Sequence, residues 1–191
     1  FTFEKFPNTE AVLGTSMKSV GEAMAIGRNF KESLQKALLS IETDLNGLDR
    51  IKNFSKNKIN KELEKNSPNK ILVIAEAFRH KINLNKIYSK TKIDRWFLEQ
   101  IKEIVDAENI LIKYGLPTNP NEMNYMKSIG FCDKKISELT KKNIEYVKNT
   151  REKLGVFSIY KKIDTCAAEF RSVTPYMYST YQEVTALLML L

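Results

Sequence analysis

The apolar residues of this chain recur at helical spacing through its middle and follow a different pattern at both ends. From Asn29 to Gly155 they return every three or four positions, as on one face of an α-helix. Residues 1–28 instead hold three of the seven glycines among small and β-branched residues, and the chain from Val156 onward is rich in β-branched and aromatic types. The pattern predicts a mainly α fold, a bundle of short helices with extended or β flanks at both ends.

Capping residues and helix breakers set the expected bounds of the helices. Asn29, with Glu32 three positions later, has the spacing of a capping box. Three other polar residues, each ahead of a helical repeat, are expected to cap helices: Ser55, Asn83 and Asp94. The sequence predicts helices over residues 29–41, 55–65, 68–80, 83–88, 94–114, 122–128, 133–139 and 143–154, with a loop over residues 42–54.

Two of these helices have an apolar stripe that we expect to face the core. The stripe of the first helix consists of Phe30, Leu34, Ala37, Leu38 and Ile41. The stripe of the longest helix consists of Phe97, Ile101, Ile104, Val105, Leu111 and Ile112. The run from Ile71 to His80 is apolar on most sides, so its helix should be central. Trp96 and Phe97 begin the longest helix, and we expect this pair in the core rather than as an exposed stacking platform.

Side chains that carry chemistry are few and scattered. The glycine-rich phosphate-binding motifs are absent, and the single histidine, His80, is expected at a helix end, where it would interact with the helix dipole. Asp164 and Glu169 lie five positions apart on extended chain, so their carboxylates should point to opposite faces. Cys132 and Cys166 lack metal-binding spacing, and we expect both as reduced, buried thiols. We therefore expect no catalytic, cofactor-binding or metal-ligating residue.

The net charge of +8 is concentrated in two blocks, +5 over residues 50–70 and +6 over residues 134–162. Lysine supplies 25 of the 31 cations and mostly alternates with Glu and Asn at helical spacing. This favours a solvated surface over a nucleic-acid site, which would use more arginine. Arg79 and Arg95 are expected to form structural ion pairs with nearby acidic residues, namely Glu76, Asp94 or Glu99.

No targeting or membrane segment is evident. No apolar run is long enough to cross a bilayer, and the start FTFEKFPNTE lacks a basic-then-apolar leader. The chain also begins with Phe1 rather than Met. We therefore expect a cytoplasmic segment of a longer protein.

Four strings, in order along the chain, closely resemble the large chain of carbamoyl phosphate synthetase. They are MKSVGEAMAIGRNFKESLQKAL from Met17, IAEAFRHKINLNKIYSKTKIDRWFLEQI from Ile74, IGFCDKKISEL from Ile129, and YKKIDTCAAEF from Tyr160 with YMYSTYQ shortly after it. The end of the chain departs from the family. After YMYSTYQEV the family continues with polar and acidic residues, whereas this chain ends in TALLMLL.

The resemblance implies an ATP-dependent carbon–nitrogen ligase as the parent enzyme. Such enzymes make carbamoyl phosphate from bicarbonate, glutamine-derived ammonia and two ATP, for pyrimidine and arginine synthesis. One ATP-grasp unit of the large chain forms carboxyphosphate, a second phosphorylates carbamate, and a helical oligomerisation domain lies between them. ATP, Mg²⁺ or Mn²⁺, and K⁺ are implied as cofactors of the parent, with a small glutaminase chain and an allosteric domain as partners. No catalytic residue of the family maps onto this chain, so we expect no activity from it alone.

The resemblance also implies domain boundaries. Residues 1–28 resemble the tail of the first ATP-grasp unit, 29–155 the helical oligomerisation domain, and 156–182 an extended connector toward the second unit. Residues 183–191 form an atypical apolar tail. The implied function is a non-catalytic scaffold with a surface for self-association.

Two other classes of protein remain as alternatives at this point. One is a free-standing basic helical module that binds nucleic acid, because the short helices around residues 121–154 have the form of one DNA-binding motif. The other is a small self-sufficient enzyme, which the missing phosphate-binding, histidine and metal motifs disfavour.

Overall fold

A computed structural model describes residues 12–15, 18, 22–41, 43–173 and 176–181 of the chain, and the described part is mainly helical. Its helices are α1 (Phe30–Ser40), α2 (Lys56–Glu62), α3 (Lys70–Arg79), α4 (Leu84–Thr91), α5 (Arg95–Tyr114), α6 (Pro120–Ser128), α7 (Asp133–Thr140) and α8 (Ile144–Lys153). Its strands are β1 (Ile159–Lys162) and β2 (Met177–Thr180). The prediction of a mainly α fold is confirmed. The apolar tail over residues 183–191 lies outside the described residues.

The predicted capping residues occupy the positions that the sequence indicates. The carboxamide oxygen of Asn29 accepts the Glu32 N–H at 2.9 Å, and the Glu32 carboxylate accepts the Arg28 N–H at 2.7 Å. The second bond reaches one residue further back than in a standard capping box. The side chains of Ser55, Asn83 and Asp94 also accept backbone N–H groups, and each such cap stabilises a helix by about 1 kcal/mol.

The first of two compact units comprises Phe1–Met24 and Ala37–Ile110. Within it α2 packs on α3, and α3 contacts α4. Six consecutive residues of α3, from Val73 to Phe78, are buried, which confirms that this helix is central. The other buried apolar residues of the unit are Leu48, Ile59, Leu63, Ile82, Ile87, Leu98, Ile101, Ile104, Val105 and Ala107.

The second unit comprises Ala25–Lys36 and Leu111–Leu191. Within it α7 packs on α8, and β1 pairs with β2 in an antiparallel hairpin. The hairpin agrees with the extended chain predicted after Val156. The buried apolar residues of the unit are Leu111, Met123, Met126, Ile129, Phe131, Ile136, Val147 and Val156.

The predicted N-terminal strands are not found in the described part of residues 1–28. Residues 12–15 and 22–28 contain no strand, and a backbone bond in this stretch joins the Leu13 N–H to the Asn66 carbonyl at 2.7 Å. A β-branched stretch forms a strand only where a second strand offers its N–H and C=O groups. The described residues before α1 have no such strand beside them.

The apolar stripes predicted for α1 and α5 are only partly correct. On α5, Phe97 and Ile112 are exposed, and Leu98, Ala107 and Glu108 are buried in addition to the other predicted residues. The spacing of the predicted stripe was correct. The residues predicted at its two ends, Phe97 and Ile112, are exposed, and the buried face is bounded instead by their neighbours Leu98 and Leu111. On α1 the fully buried side chains are polar, Glu32 and Gln35, while the predicted apolar residues are half-buried or, as for Ile41, exposed.

Position 130, a glycine between α6 and α7, has no room for a side chain. It has φ +96°, and a Cβ there would lie 2.9 Å from Gln35 Cβ and 3.1 Å from Glu32 Cα. We expect Gly130→Ala to lower the free energy of unfolding by about 2 kcal/mol, because backbone strain and a clash with α1 add. Urea unfolding followed by circular dichroism measures this.

Gly155→Ala is the matched control for that substitution. Gly155 has φ +70°, but no atom lies within 4 Å of the point that its Cβ would occupy, so the alanine variant carries the backbone strain without the clash. We expect a loss of about 1 kcal/mol there. Equal losses at the two glycines would contradict the close packing of Gly130 on α1.

Candidate functional site

A buried arginine in the first unit joins two helices and a loop. Arg79 at the end of α3 donates to both carboxylate oxygens of Glu108 on α5, at 2.8 Å each, and to Glu76 at 2.7 Å. The side chains of Arg79, Glu108 and Glu76 are 2%, 3% and 4% exposed. Burial alone would lower the pKa of Arg79, but its hydrogen bonds and ion pairs with the two carboxylates outweigh burial and raise it.

The same arginine fixes the loop before α2. Its guanidinium also donates to the carbonyls of Leu48 and Asp49, and the Ile51 N–H donates to Glu76 at 3.2 Å. The loop backbone is thereby bonded to the two charged residues of α3. Arg79–Glu76 is one of the ion pairs that the sequence predicted, whereas Glu108 was missed because helical periodicity treats a Glu as a solvent-facing residue.

The second unit has its own buried charged cluster around Asp133. Lys127 Nζ lies 2.7 Å from one carboxylate oxygen of Asp133, and Arg151 Nε lies 3.1 Å from the other. Arg151 also donates to the Val156 carbonyl at 2.8 Å. Burial lowers the pKa of Lys127, and Asp133 offsets this only in part. For Asp133, burial alone would raise the pKa, but the two cations outweigh it and lower the pKa.

The two cations of this cluster hold Tyr181, the residue after β2. Lys127 Nζ lies 4.9 Å from the centroid of the Tyr181 ring, and the Arg151 guanidinium carbon lies 6.0 Å from it. Burial raises the pKa of the Tyr181 hydroxyl. We call Lys127, Asp133, Arg151 and Tyr181 the Tyr181 anchor.

Polar side chains of α1 also hold the end of β2. The Thr180 hydroxyl donates to Glu32 at 3.2 Å, and Lys36 Nζ donates to the Ser179 carbonyl. Glu32 is 1% exposed and also lies 2.9 Å from Lys36 Nζ. The end of β2 is thus held by side chains of α1, and the following Tyr181 by side chains of α6 and α8. Sequence reasoning assigned Glu32 only a capping role and identified none of the other residues as part of a cluster.

An exposed aromatic surface lies at the junction of α4 and α5 in the first unit. Trp96 is 51% exposed and Phe97 is 42% exposed, and their ring centroids lie 5.0 Å apart at an interplanar angle of 85°. The Arg95 guanidinium carbon lies 4.1 Å from the centroid of the Tyr88 ring. We call Tyr88, Arg95, Trp96 and Phe97 the Trp96 patch. Its exposure shows that placing Trp96 and Phe97 in the core was wrong, and exposed aromatic groups of this kind are typical of protein–protein contacts.

The remaining candidate residues have structural positions. His80 is the C-terminal cap residue of α3, with Nδ1 3.0 Å from the Glu76 carbonyl, as predicted. Arg95 donates to Asn85 at 3.3 Å, and the structure gives it no bond to the predicted acidic partners. The Asp164 carboxylate accepts the N–H groups of Cys166 and Ala168 at 2.9 Å and 2.7 Å, so it shapes a turn, and Glu169 is exposed.

The predicted burial of both cysteines was wrong. Cys132 and Cys166 are half-buried and are not joined in a disulfide. Cys132 is the N-cap of α7, where its sulfur accepts the Lys135 N–H at 3.3 Å. A capping position at the start of a helix keeps the side chain near the surface, which the burial statistics for cysteine do not anticipate.

Comparison with known proteins decides the family. Residues 22–155 match the family model described as the carbamoyl-phosphate synthetase large chain, oligomerisation domain. The chain belongs to this family. It is therefore an oligomerisation domain of the carbamoyl phosphate synthetase large chain with flanking residues, as its resemblance implied.

Curated relatives agree over nearly the whole chain. It is 45% identical over 188 residues to the carbamoyl phosphate synthase large chain of Brucella melitensis, 46% over 195 residues to that of Mesorhizobium japonicum, and 45% over 186 residues to that of Campylobacter jejuni. These alignments cover 94–95% of this chain but only 16–17% of the relatives. Within the described residues, no helix combines the length and apolarity needed to span a bilayer.

Proposed function

We propose that this carbamoyl phosphate synthetase segment is an architectural element that fixes the chain leaving it and associates with a second copy. In this proposal residues 1–28 are the tail of the first ATP-grasp unit, 29–155 the helical domain, 156–182 the connector to the second unit, and 183–191 an atypical tail. The family match over residues 22–155 supports the central boundaries.

The parent enzyme carries the chemistry in this proposal. It makes carbamoyl phosphate in the cytoplasm from bicarbonate, glutamine-derived ammonia and two ATP, using Mg²⁺ or Mn²⁺ and K⁺. Its ATP-grasp and allosteric domains belong to the same chain, and its small glutaminase chain supplies the ammonia. This segment contributes no catalytic, cofactor-binding or metal-ligating residue and turns over no substrate alone.

The Tyr181 anchor is the observation that supports the architectural role. The buried Lys127 and Arg151, both paired with the half-buried Asp133, hold the ring of Tyr181, which lies directly after β2 and near the end of the proposed connector. Buried charges tolerate little displacement, because an unpaired charge at such a site is costly. Carboxyphosphate and carbamate decompose in water, and carbamate must pass from the first site to the second. The two sites therefore need a fixed separation, and rigid attachment of the connector provides it.

Self-association through the Trp96 patch is the second part of the proposal. The family description is an oligomerisation domain, and the patch presents two exposed aromatic rings on the longest helix. Aromatic side chains of this kind contribute most to affinity when a partner covers them. A second copy of the chain is the partner that an oligomerisation domain requires.

Sedimentation velocity over a wide concentration range tests this part. We expect a reversible dimer or larger species from the 191-residue chain, and Trp96→Ser to raise its dissociation constant about tenfold or more. Tyr146→Ser is the matched control, since Tyr146 is 57% exposed on α8 but lies outside the patch, and it should leave association unchanged. Strictly monomeric protein, or equal weakening by both substitutions, would overturn the assignment of the patch.

A further inference from the structure

A cleft of about 480 Å³ opens in the first unit beside the loop that precedes α2. Residues 50–55 of the loop line one side, and Glu76 and His80 of α3 line the other. It is distinct from the Trp96 patch and from the Tyr181 anchor. The oligomerisation role does not use it.

The charged side chains at this cleft favour an anion. Arg50 and Lys52 are exposed, and neither forms an ion pair with a described residue. The one acidic lining residue, Glu76, is 4% exposed and has its charge offset by Arg79 at 2.7 Å. His80 Nδ1 lies 3.0 Å from the Glu76 carbonyl and 3.8 Å from the Glu76 carboxylate. The accessible charge in the cleft is therefore that of the two loop cations.

The loop that carries these cations is held in place before any ligand binds. Arg79 donates to the carbonyls of Leu48 and Asp49, and Glu76 accepts the Ile51 N–H at 3.2 Å. Binding to a loop with a fixed backbone costs little ordering entropy. The arrangement thus resembles a formed site more than a pair of cations on a mobile surface.

An aromatic ring completes the lining. Phe54 is half-buried at the cleft, and Lys58 Nζ lies 4.4 Å from its centroid. An exposed edge or face of the ring can contact a flat apolar group, while the ammonium of Lys58 adds to the positive charge nearby.

We propose that this cleft binds a small phosphate monoester that carries a ring. Arg50 presents a planar fork of N–H donors that matches two phosphate oxygens, and Lys52 supplies a compact second charge. Phe54 packs against the ring of the ligand. The proposal is independent of self-association, since a monomeric chain would contain the whole cleft.

Titration of the ¹⁵N-labelled 191-residue chain with inorganic phosphate and with phenyl phosphate, followed by NMR, tests the proposal. We expect saturable shifts confined to the amides of residues 50–55 and to His80, with phenyl phosphate binding more tightly than phosphate. The double variant Arg50→Gln/Lys52→Gln should weaken binding of phenyl phosphate about tenfold or more, because two charge-assisted contacts are lost. Lys86→Gln, an exposed lysine on α4, is the matched control and should change nothing.

A third variant separates the ring contact from the charge contact. Phe54→Leu should remove most of the preference for phenyl phosphate and leave the affinity for inorganic phosphate unchanged. Shifts that do not saturate, that spread over the lysine-rich surface, or that persist in the Arg50→Gln/Lys52→Gln variant would overturn the site. Equal affinity for the two probes in the wild-type chain would overturn the role of Phe54 and with it the proposed ligand class.

Discussion

Replacing Arg79 with Met will lower the free energy of unfolding by about 3–5 kcal/mol, the usual cost of removing one member of a buried ion pair. The substitution keeps most of the apolar length of the side chain and removes the guanidinium. It leaves Glu76 and Glu108, which are 4% and 3% exposed, without their shared cation. It also removes the donors that hold the carbonyls of Leu48 and Asp49. Urea unfolding at neutral pH, followed by circular dichroism, measures the loss.

A double-mutant cycle distinguishes the ion pair from loss of packing. Glu108→Gln should cost much less in the Arg79→Met background than in the wild-type chain, because its partner is already absent. Arg95→Met removes an exposed arginine from the neighbouring helix and should change stability by no more than about 0.5 kcal/mol. Additive effects of the Arg79 and Glu108 substitutions would show that the two side chains do not stabilise the fold as a pair.

The helix starts were predictable because they depend on adjacent residues alone. Asn29, Ser55, Asn83 and Asp94 each accept a backbone N–H two or three positions ahead, as their spacing indicated. Where a start depends on more than a cap, the prediction was less accurate. α3 begins at Lys70 rather than at Pro68, because Ser67–Lys70 first form a separate turn closed by the Lys70 N–H.

Burial was harder to predict than helix position because polar residues occupy buried faces. Glu32 and Gln35 are the fully buried residues of α1, and Gln35 donates to the Ile129 carbonyl at 2.8 Å. A hydrophobic pattern assigns such residues to solvent, since it contains no information about a partner 94 positions away. The reverse error concerns Trp96, an apolar residue that the fold leaves exposed.

The same limit applies to the candidate sites. The sequence indicated that no catalytic motif was present and identified the family from four strings, but no pattern in it singled out the residues of the Tyr181 anchor. Lys127, Asp133, Arg151 and Tyr181 are separated by 6 to 54 positions and have no periodic relation. Only the packing of α6, α7 and α8 brings them to one place. A charged cluster of this kind is recognised from the distances between its side chains in the folded structure.

Replacing Asp133 with Asn will lower the free energy of unfolding by about 3 kcal/mol, because Lys127 then remains buried without an anion. Arg151 keeps only its longer ion pair with Glu152, at 3.6 Å. Lys127 is 5% exposed, so solvent cannot take the place of the carboxylate. We expect the hairpin to loosen as well, since both cations hold the Tyr181 ring. The control is Asp106→Asn, which breaks an exposed pair with Lys102 and should cost less than about 0.5 kcal/mol.

The pH dependence of the stability lost in the Asp133→Asn variant shows whether the charge of Asp133 is the cause of that loss. The pKa of Asp133 in the folded chain is lowered from its ordinary value of 3.8, so its stabilising contribution is present above that value and is lost as the pH falls through the folded pKa. The difference in stability between the wild-type chain and the Asp133→Asn variant should therefore be full at pH about 6 and shrink below pH about 4. Amide hydrogen exchange in β2 should accelerate in the variant and not in the Asp106→Asn control. A difference that stays constant down to pH about 2 would mean that the hydrogen-bonding pattern of the side chain at position 133, not its charge, holds the Tyr181 anchor together.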